Sequence, residues 1–180
     1  MDYLYLLVSL LPLVLYVLFS IKKDQMFGVI GGMVGFVILL VYVIFKHGVV
    51  DEFIWLEGIL LIGLGSLSLF FNNSCYFKFQ PCVVGIILGI LFLYHQFFDT
   101  PIFVKMTPKI KELVPQFAEF ADDPVVQEAF TKTSLYMALV FLIHGVMMGY
   151  AALKLSDISW FNVRILVYPM MIVAVALGYF

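Results

Sequence analysis

Charge is scarce in these 180 residues: Asp, Glu, Lys and Arg make up 12%, against 64% hydrophobic residues. Soluble domains carry about 25% charged and about 45–50% apolar residues, so this chain lacks the polar groups to cover a water-facing surface. Lipid must be its solvent. Cysteine (2) and histidine (3) are scarce too. Two thiols exclude a disulfide framework, and the lone thiol of Cys82, set in an apolar run, reads as a small buried side chain. With no HExxH and no paired cysteines, the metal-site patterns are missing, so no metal and no cofactor is expected. A net charge of −2 gives no basic field, which argues against nucleic acid as a partner. No Gly-rich phosphate loop or nucleophile elbow is present, and nothing in the pattern asks for catalysis.

What is abundant is long apolar sequence. A helix needs about 20 apolar residues to cross the hydrocarbon core, and lipid offers the backbone no other partners. Six segments qualify: 3–21, 26–45, 53–71, 79–98, 134–153 and 160–180. The expected fold is therefore an all-α polytopic helix bundle, a single transmembrane domain over 1–180, with membrane lipid as its surroundings. The N-terminal run has no basic leader region and no small-x-small cleavage site, so it reads as a retained span rather than a secretion signal. Pro12 removes a backbone hydrogen bond near its middle and should kink it; a re-entrant element there leaves five true spans.

The chain is organised around the junction of the third and fourth spans. An apolar run reaches Phe70-Phe71, breaks on Asn72-Asn73-Ser74, and restarts through Tyr76, Phe77, Lys78 and Phe79 before Pro81. This is the form of a tight turn at the lipid–water boundary, where aromatic rings and a snorkelling Lys78 are at home and proline fits a first helical turn. The Asn and Ser side chains are suited to capping the helix ends that meet there.

Glycines repeat at helical spacing in three spans: Gly28, Gly31, Gly32 and Gly35 in the second, Gly85 and Gly89 in the fourth, Gly145 and Gly149 in the fifth. Bare faces let helices approach closely in lipid. Packing within the chain is the first reading, and a homodimer face the alternative. The charged loop 99–133 holds a short amphipathic interfacial helix in this reading. Thr107 is its N-cap and Pro108 its first residue, with Ile110, Leu113, Val114 and Phe117 opposite Lys109, Lys111 and Glu112; Pro115 limits its length. Asp123-Pro124 reads as a second cap-and-start leading into the fifth span.

Ionisable groups at membrane depth are candidates for function. His144 lies mid-span beside the Gly145/Gly149 face. His95 and Asp99 stand four apart on one helix face, in reach of an ion pair. The bland reading makes His144 a neutral ring bonded to a neighbouring helix; the functional one makes the three a polar transport site. Orientation is a tie. With the N-terminus inside, Lys46, Lys105, Lys109, Lys111 and Lys132 are cytoplasmic, while Lys22, Lys23, Lys78, Lys154 and Arg164 lie across the membrane.

These residues resemble the intracellular septation protein A family, also called YciB or IspZ. Phe70, Phe71, Asn72, Asn73, Tyr76, Phe77, Lys78, Phe79 and Pro81 fall without a gap on its turn motif. Leu11-Pro12-Leu13-Val14 and Asp24 are similar to its N-terminal motif, and Pro101-Ile102, Lys105 and Met106 to a later one. Trp160, Asn162, Arg164 and Ile165 resemble the start of its last helix. Gln80, Phe79, Cys82, Ser134 and Met137 depart from the family's Lys, Trp, Thr, Asn and Trp, marking a divergent member. The resemblance implies a multi-pass protein of the bacterial inner membrane, with both ends cytoplasmic and the 72–78 turn periplasmic. It implies a role in septation and envelope maintenance, acting by docking division and cell-wall machinery, with no established reaction. The alternative is a small transporter or lipid-handling protein built on His144 and His95/Asp99.

Overall fold

A computed structural model describes every residue except Met1, Asp2, Val49, Asp51, Val114, Pro115, Phe117, Ala118 and Phe180. All regular structure among the described residues is helical. Contacts divide the chain into two compact units, residues 1–81 with 148–162 and residues 82–147 with 163–180.

The first unit opens with α1 (Tyr3–Ser9) and α2 (Leu11–Lys22), divided at Leu10. Pro12 lies in the first turn of α2, where its missing N–H costs least. The kink expected inside the first span is thus a break into two helices. Helix α3 (Gln25–His47) turns back along α2 and ends on Gly48, whose φ of 70° closes it in the left-handed conformation. Helices α4 (Glu52–Phe70) and α5 (Cys75–Lys78) follow.

Gly28, Gly31, Gly32 and Gly35 are all buried. A Cβ on Gly31 would lie 3.0 Å from the Leu15 carbonyl oxygen, and one on Gly35 only 2.7 Å from Pro12 Cα. The bare face of α3 therefore receives the backbone of α2. Gly63 on α4 has nothing within 4 Å of the same position. Gly35→Ala should cost about 1–3 kcal/mol as α2 is pushed away, whereas Gly63→Ala should gain about 0.5–1 kcal/mol of helix propensity. Thermal melts of the detergent-solubilised variants check both; equal melting temperatures would show that α2 does not sit on this face.

The second unit contains most of α6 (Gln80–Phe98), then α7 (Ile102–Lys105) and α8 (Thr107–Leu113). Thr107 does not cap α8. It is buried, and its hydroxyl donates back to the Phe103 carbonyl (3.4 Å), so the preceding turn α7 takes up the group expected to start the helix. Of the expected amphipathic stripe, Ile110 and Leu113 lie in α8, while Val114, Pro115 and Phe117 fall outside the described residues. Helix α9 (Pro124–Lys154) runs unbroken for 31 residues from the Asp123-Pro124 start into the fifth apolar segment. Asp123 Oδ1 accepts the Val125 N–H (2.8 Å), an N-cap bond. Ser134 ties the loop down: its hydroxyl donates to the Phe130 carbonyl (2.9 Å) and accepts the Phe103 N–H (3.1 Å) at the start of α7.

The last apolar segment is two helices, α10 (Asp157–Ile165) and α11 (Val167–Tyr179). Pro169 has no N–H for the Ile165 carbonyl, and the chain tightens at Leu166, whose N–H bonds Val163 O at 3.1 Å.

Among the described residues, four segments are long and apolar enough to cross a membrane: Gln25–Lys46, Cys75–Phe98, Pro124–Lys154 and Asp157–Tyr179. The segments expected as first and third spans supply the shorter apolar helices Leu11–Lys22 and Ile54–Phe70.

Candidate functional site

Helix α4 ends in a Schellman motif. Asn73 N–H bonds Ser68 O (2.9 Å), Asn72 N–H bonds Leu69 O (3.3 Å), and Asn72 takes the left-handed conformation, with φ 50°. Asparagine accepts this backbone more readily than most residues, which explains its place there. Asn73 Oδ1 then accepts the Cys75 N–H (3.0 Å), and Ser68 Oγ accepts the Phe77 N–H (2.7 Å). The Asn73 and Ser68 side chains thus satisfy backbone that the helix ends leave open.

Lys78 corrects an expectation. Instead of snorkelling, it is 4% exposed and forms an ion pair with Asp157, the first residue of α10. The buried ammonium is satisfied by a carboxylate from another turn of the chain. Trp160, fully buried, donates its indole N–H to the Lys78 carbonyl (3.1 Å). Tyr16 of α2 stacks on Phe77 (centroids 4.8 Å apart) and meets Trp160 edge-on at 5.3 Å. Gln25 joins the cluster: its amide oxygen accepts the Ser74 hydroxyl (2.6 Å), and its Nε2 lies 3.4 Å from Asp157 Oδ1. Cys75 Sγ reaches the Ala152 carbonyl at 3.5 Å. The Tyr16 hydroxyl is directed at Asp157 and Ser20 without completing a hydrogen bond.

This core fastens three chain reversals, at 23–24, 71–74 and 155–156, to one another. Outside it, Phe70 (81% exposed), Phe71, Asn72, Asn73 and Tyr76 stand on the surface. Phe71 contacts Phe70 edge-to-face (5.0 Å) and Tyr76 at 5.5 Å. The lasting features are therefore a dry, ion-paired base and an aromatic–Asn rim.

The other singled-out residues lie elsewhere. Asp24 is the N-cap residue of α3, in extended conformation with no side-chain cap bond. Pro12 lies under Gly35. Pro101 precedes α7, and Pro81 sits in the first turn of α6. Asn162 is exposed and Arg164 half-buried on α10. In the second unit, Gly85 lies against Gly145, a Cβ there falling 3.1 Å from Gly145 Cα, and Gly89 against Leu142. Gly149 is half-buried on α9.

His144 is buried, with Nε2 3.0 Å from the Val163 carbonyl oxygen of α10. His95 Nδ1 lies 3.0 Å from Asp99 Oδ2, which also meets Lys105 Nζ at 3.3 Å. The Thr100 backbone N–H and the Lys105 ammonium hold the Asp99 carboxyl below the usual carboxylate range. His95 and Asp99 thus pair with each other, and His144 meets a different helix. No group of three His, Cys, Asp or Glu side chains is placed to hold a metal ion among the described residues.

Asp157, Gln25 and Tyr16 were not singled out by the sequence reading. The signal that could have found Asp157 is parity: turns after odd-numbered spans share one membrane face, and Lys78 and Asp157 are opposite charges on two such turns.

A chain whose described residues form helices and no strand, with four segments of spanning length among them and a polar cluster tying its turns, is a multi-pass membrane protein. Its sequence matches the family described as Intracellular septation protein A over residues 4–180, and the chain belongs to that family. Relatives named "Inner membrane-spanning protein YciB" share low identity with it. The Dechloromonas aromatica (strain RCB) protein is 25% identical over 126 residues, covering 70% of this chain and 57% of the relative. That from Polynucleobacter asymbioticus is 23% identical over 134 residues, 74% of this chain and 69% of the relative. A Buchnera aphidicola (subsp. Schizaphis graminum) protein is 25% identical over 131 residues, 73% and 67% of the two chains. The chain thus spans little more than half the length of the first of these relatives. No solved structure matches it.

Proposed function

We propose that this protein acts in septation and envelope maintenance at the bacterial inner membrane by docking division or cell-wall synthesis proteins, not by catalysis. Family membership supports the setting. The observation that carries the docking reading is the exposed rim of Phe71, Asn73 and Tyr76 on the buried Lys78–Asp157 base. Aromatic residues held on a rigid turn bury large contact area at little entropic cost, the property of binding hot spots.

The transport alternative needs polar groups on a shared hydrated cavity. His144 has the Val163 carbonyl beside it and His95 has Asp99, and one groove in each unit is lined by apolar side chains. That favours docking.

The test is affinity capture from gentle detergent, followed by mass spectrometry, with Phe71→Ser/Tyr76→Ser beside the wild type. Lys78 is unsuited to it, being part of the folded core. The expected result is normal protein level and loss of division or cell-wall proteins from the captured set. A variant that keeps its partners and complements a deletion would remove the rim from consideration as the docking face.

A further inference from the structure

Two grooves, one in each unit, are lined by apolar side chains. One, of about 400 Å³, runs between α9 and α11 and is lined by Tyr136, Val140, Ile143, Pro169, Met170 and Val173, among other apolar residues. Pro169 lies in the first turn of α11, and Gly178 lets that helix close onto α9 at Thr133, a Cβ there falling 2.9 Å from Thr133 Cα. The helices thus meet at the Thr133 end and leave a concave strip beyond it.

Helix α9 has 31 residues. At 1.5 Å per residue that is about 46 Å, roughly 16 Å more than the hydrocarbon core is thick. Its first turns must therefore stand outside the apolar layer. Lys132 and Glu128 lie there, 3.0 Å apart as an i,i+4 pair, with side chains 42% and 68% exposed. Lys132 is also one turn before Tyr136, so it shares the groove's face of α9. An exposed pair of this kind is worth only about 0–1 kcal/mol and is readily exchanged for better partners.

We infer that this groove is a binding site for one phospholipid, of the zwitterionic class whose headgroup carries a primary amine. An acyl chain fills the groove between Tyr136 and Pro169, Lys132 takes the phosphate, and Glu128 takes the amine. The charge pattern selects this class. Two charges of opposite sign, one helical turn apart, complement a headgroup that carries both signs. Glu128 disfavours a headgroup that is only anionic.

The apolar depth holds the chain by area, and the charged mouth sets which lipid enters. The other groove, in the first unit, is lined by Phe36, Trp55 and Gly58 among other residues. It serves as the internal control.

The test uses the full-length protein in nanodiscs containing phosphatidylethanolamine with a photoreactive acyl chain. Crosslinked peptides are mapped by mass spectrometry under competition from unlabelled phosphatidylethanolamine or phosphatidylglycerol. Labelling should concentrate on Val140, Ile143 and Met170 and fall with the first competitor much more than with the second. Lys132→Ala should weaken it about fivefold, the loss expected for one lysine at a membrane surface. Glu128→Gln should erase the preference between the two lipids. Val173→Trp, a lipid-facing change that fills the groove, should abolish labelling there and leave the control groove untouched. Labelling spread evenly over all lipid-facing helices, or equal competition by both lipids, would overturn the assignment and leave only ordinary boundary lipid. If Lys132→Ala lowers protein level, Val173→Trp and the competition series decide alone.

Discussion

Replacing Lys78 by methionine should destabilise the protein by about 3–5 kcal/mol, the range for breaking a buried pair and stranding its partner charge. Both side chains are nearly sealed, 6% and 11% exposed. The Asp157 carboxylate left behind would keep Gln25 Nε2, 3.4 Å away, a neutral group and a poor substitute for an ammonium. The double change Lys78→Met/Asp157→Leu should recover most of the loss, because an apolar pair of similar volume carries no desolvation penalty. Thermal unfolding in mild detergent for the four members of the cycle measures the coupling directly. A single variant as stable as the wild type would mean that the pair is solvated in the membrane and contributes little.

Trp160→Ala should cost a similar amount, about 3–5 kcal/mol for a large buried aromatic. The indole is fully buried, edge-on to Tyr16, and its N–H satisfies the Lys78 carbonyl. Truncation opens a cavity and orphans that carbonyl at once. Trp160→Phe keeps most of the volume and loses only the N–H, so it should cost about 1–2 kcal/mol. The separation between the two variants distinguishes packing from hydrogen bonding. Should Phe prove as damaging as Ala, the bond to Lys78 outweighs the ring.

The helical, membrane-spanning nature of the chain was legible because it depends on composition and run length, which need no partner to be recognised. The Asp123-Pro124 start was legible for the same reason, since a cap is local chemistry. Thr107 shows the limit of local reading: the residue type suits a cap, yet its hydroxyl turns back to Phe103 because a preceding turn occupies that place. Lys78 was misplaced for a related reason. Whether a lysine snorkels or is buried depends on what covers it, and the covering groups, Asp157 and Trp160, come from another turn. The Pro169 break was there to be read, since a mid-span proline has one effect on any helix. The groove beside α9 that Pro169 helps to line needed the position of the neighbouring helix.

The distance along the chain between Lys78 and its partners has a consequence for synthesis. Trp160 follows Lys78 by 82 residues. At about 5–20 residues per second, a ribosome needs roughly 4–16 s to supply it. During that interval the central turn has its Schellman motif and its Asn bonds, all local, but its lysine has no counter-ion from α10. The turn is therefore shaped early and locked late. A chain stopped before Asp157 would hold a lysine whose counter-ion has yet to be made.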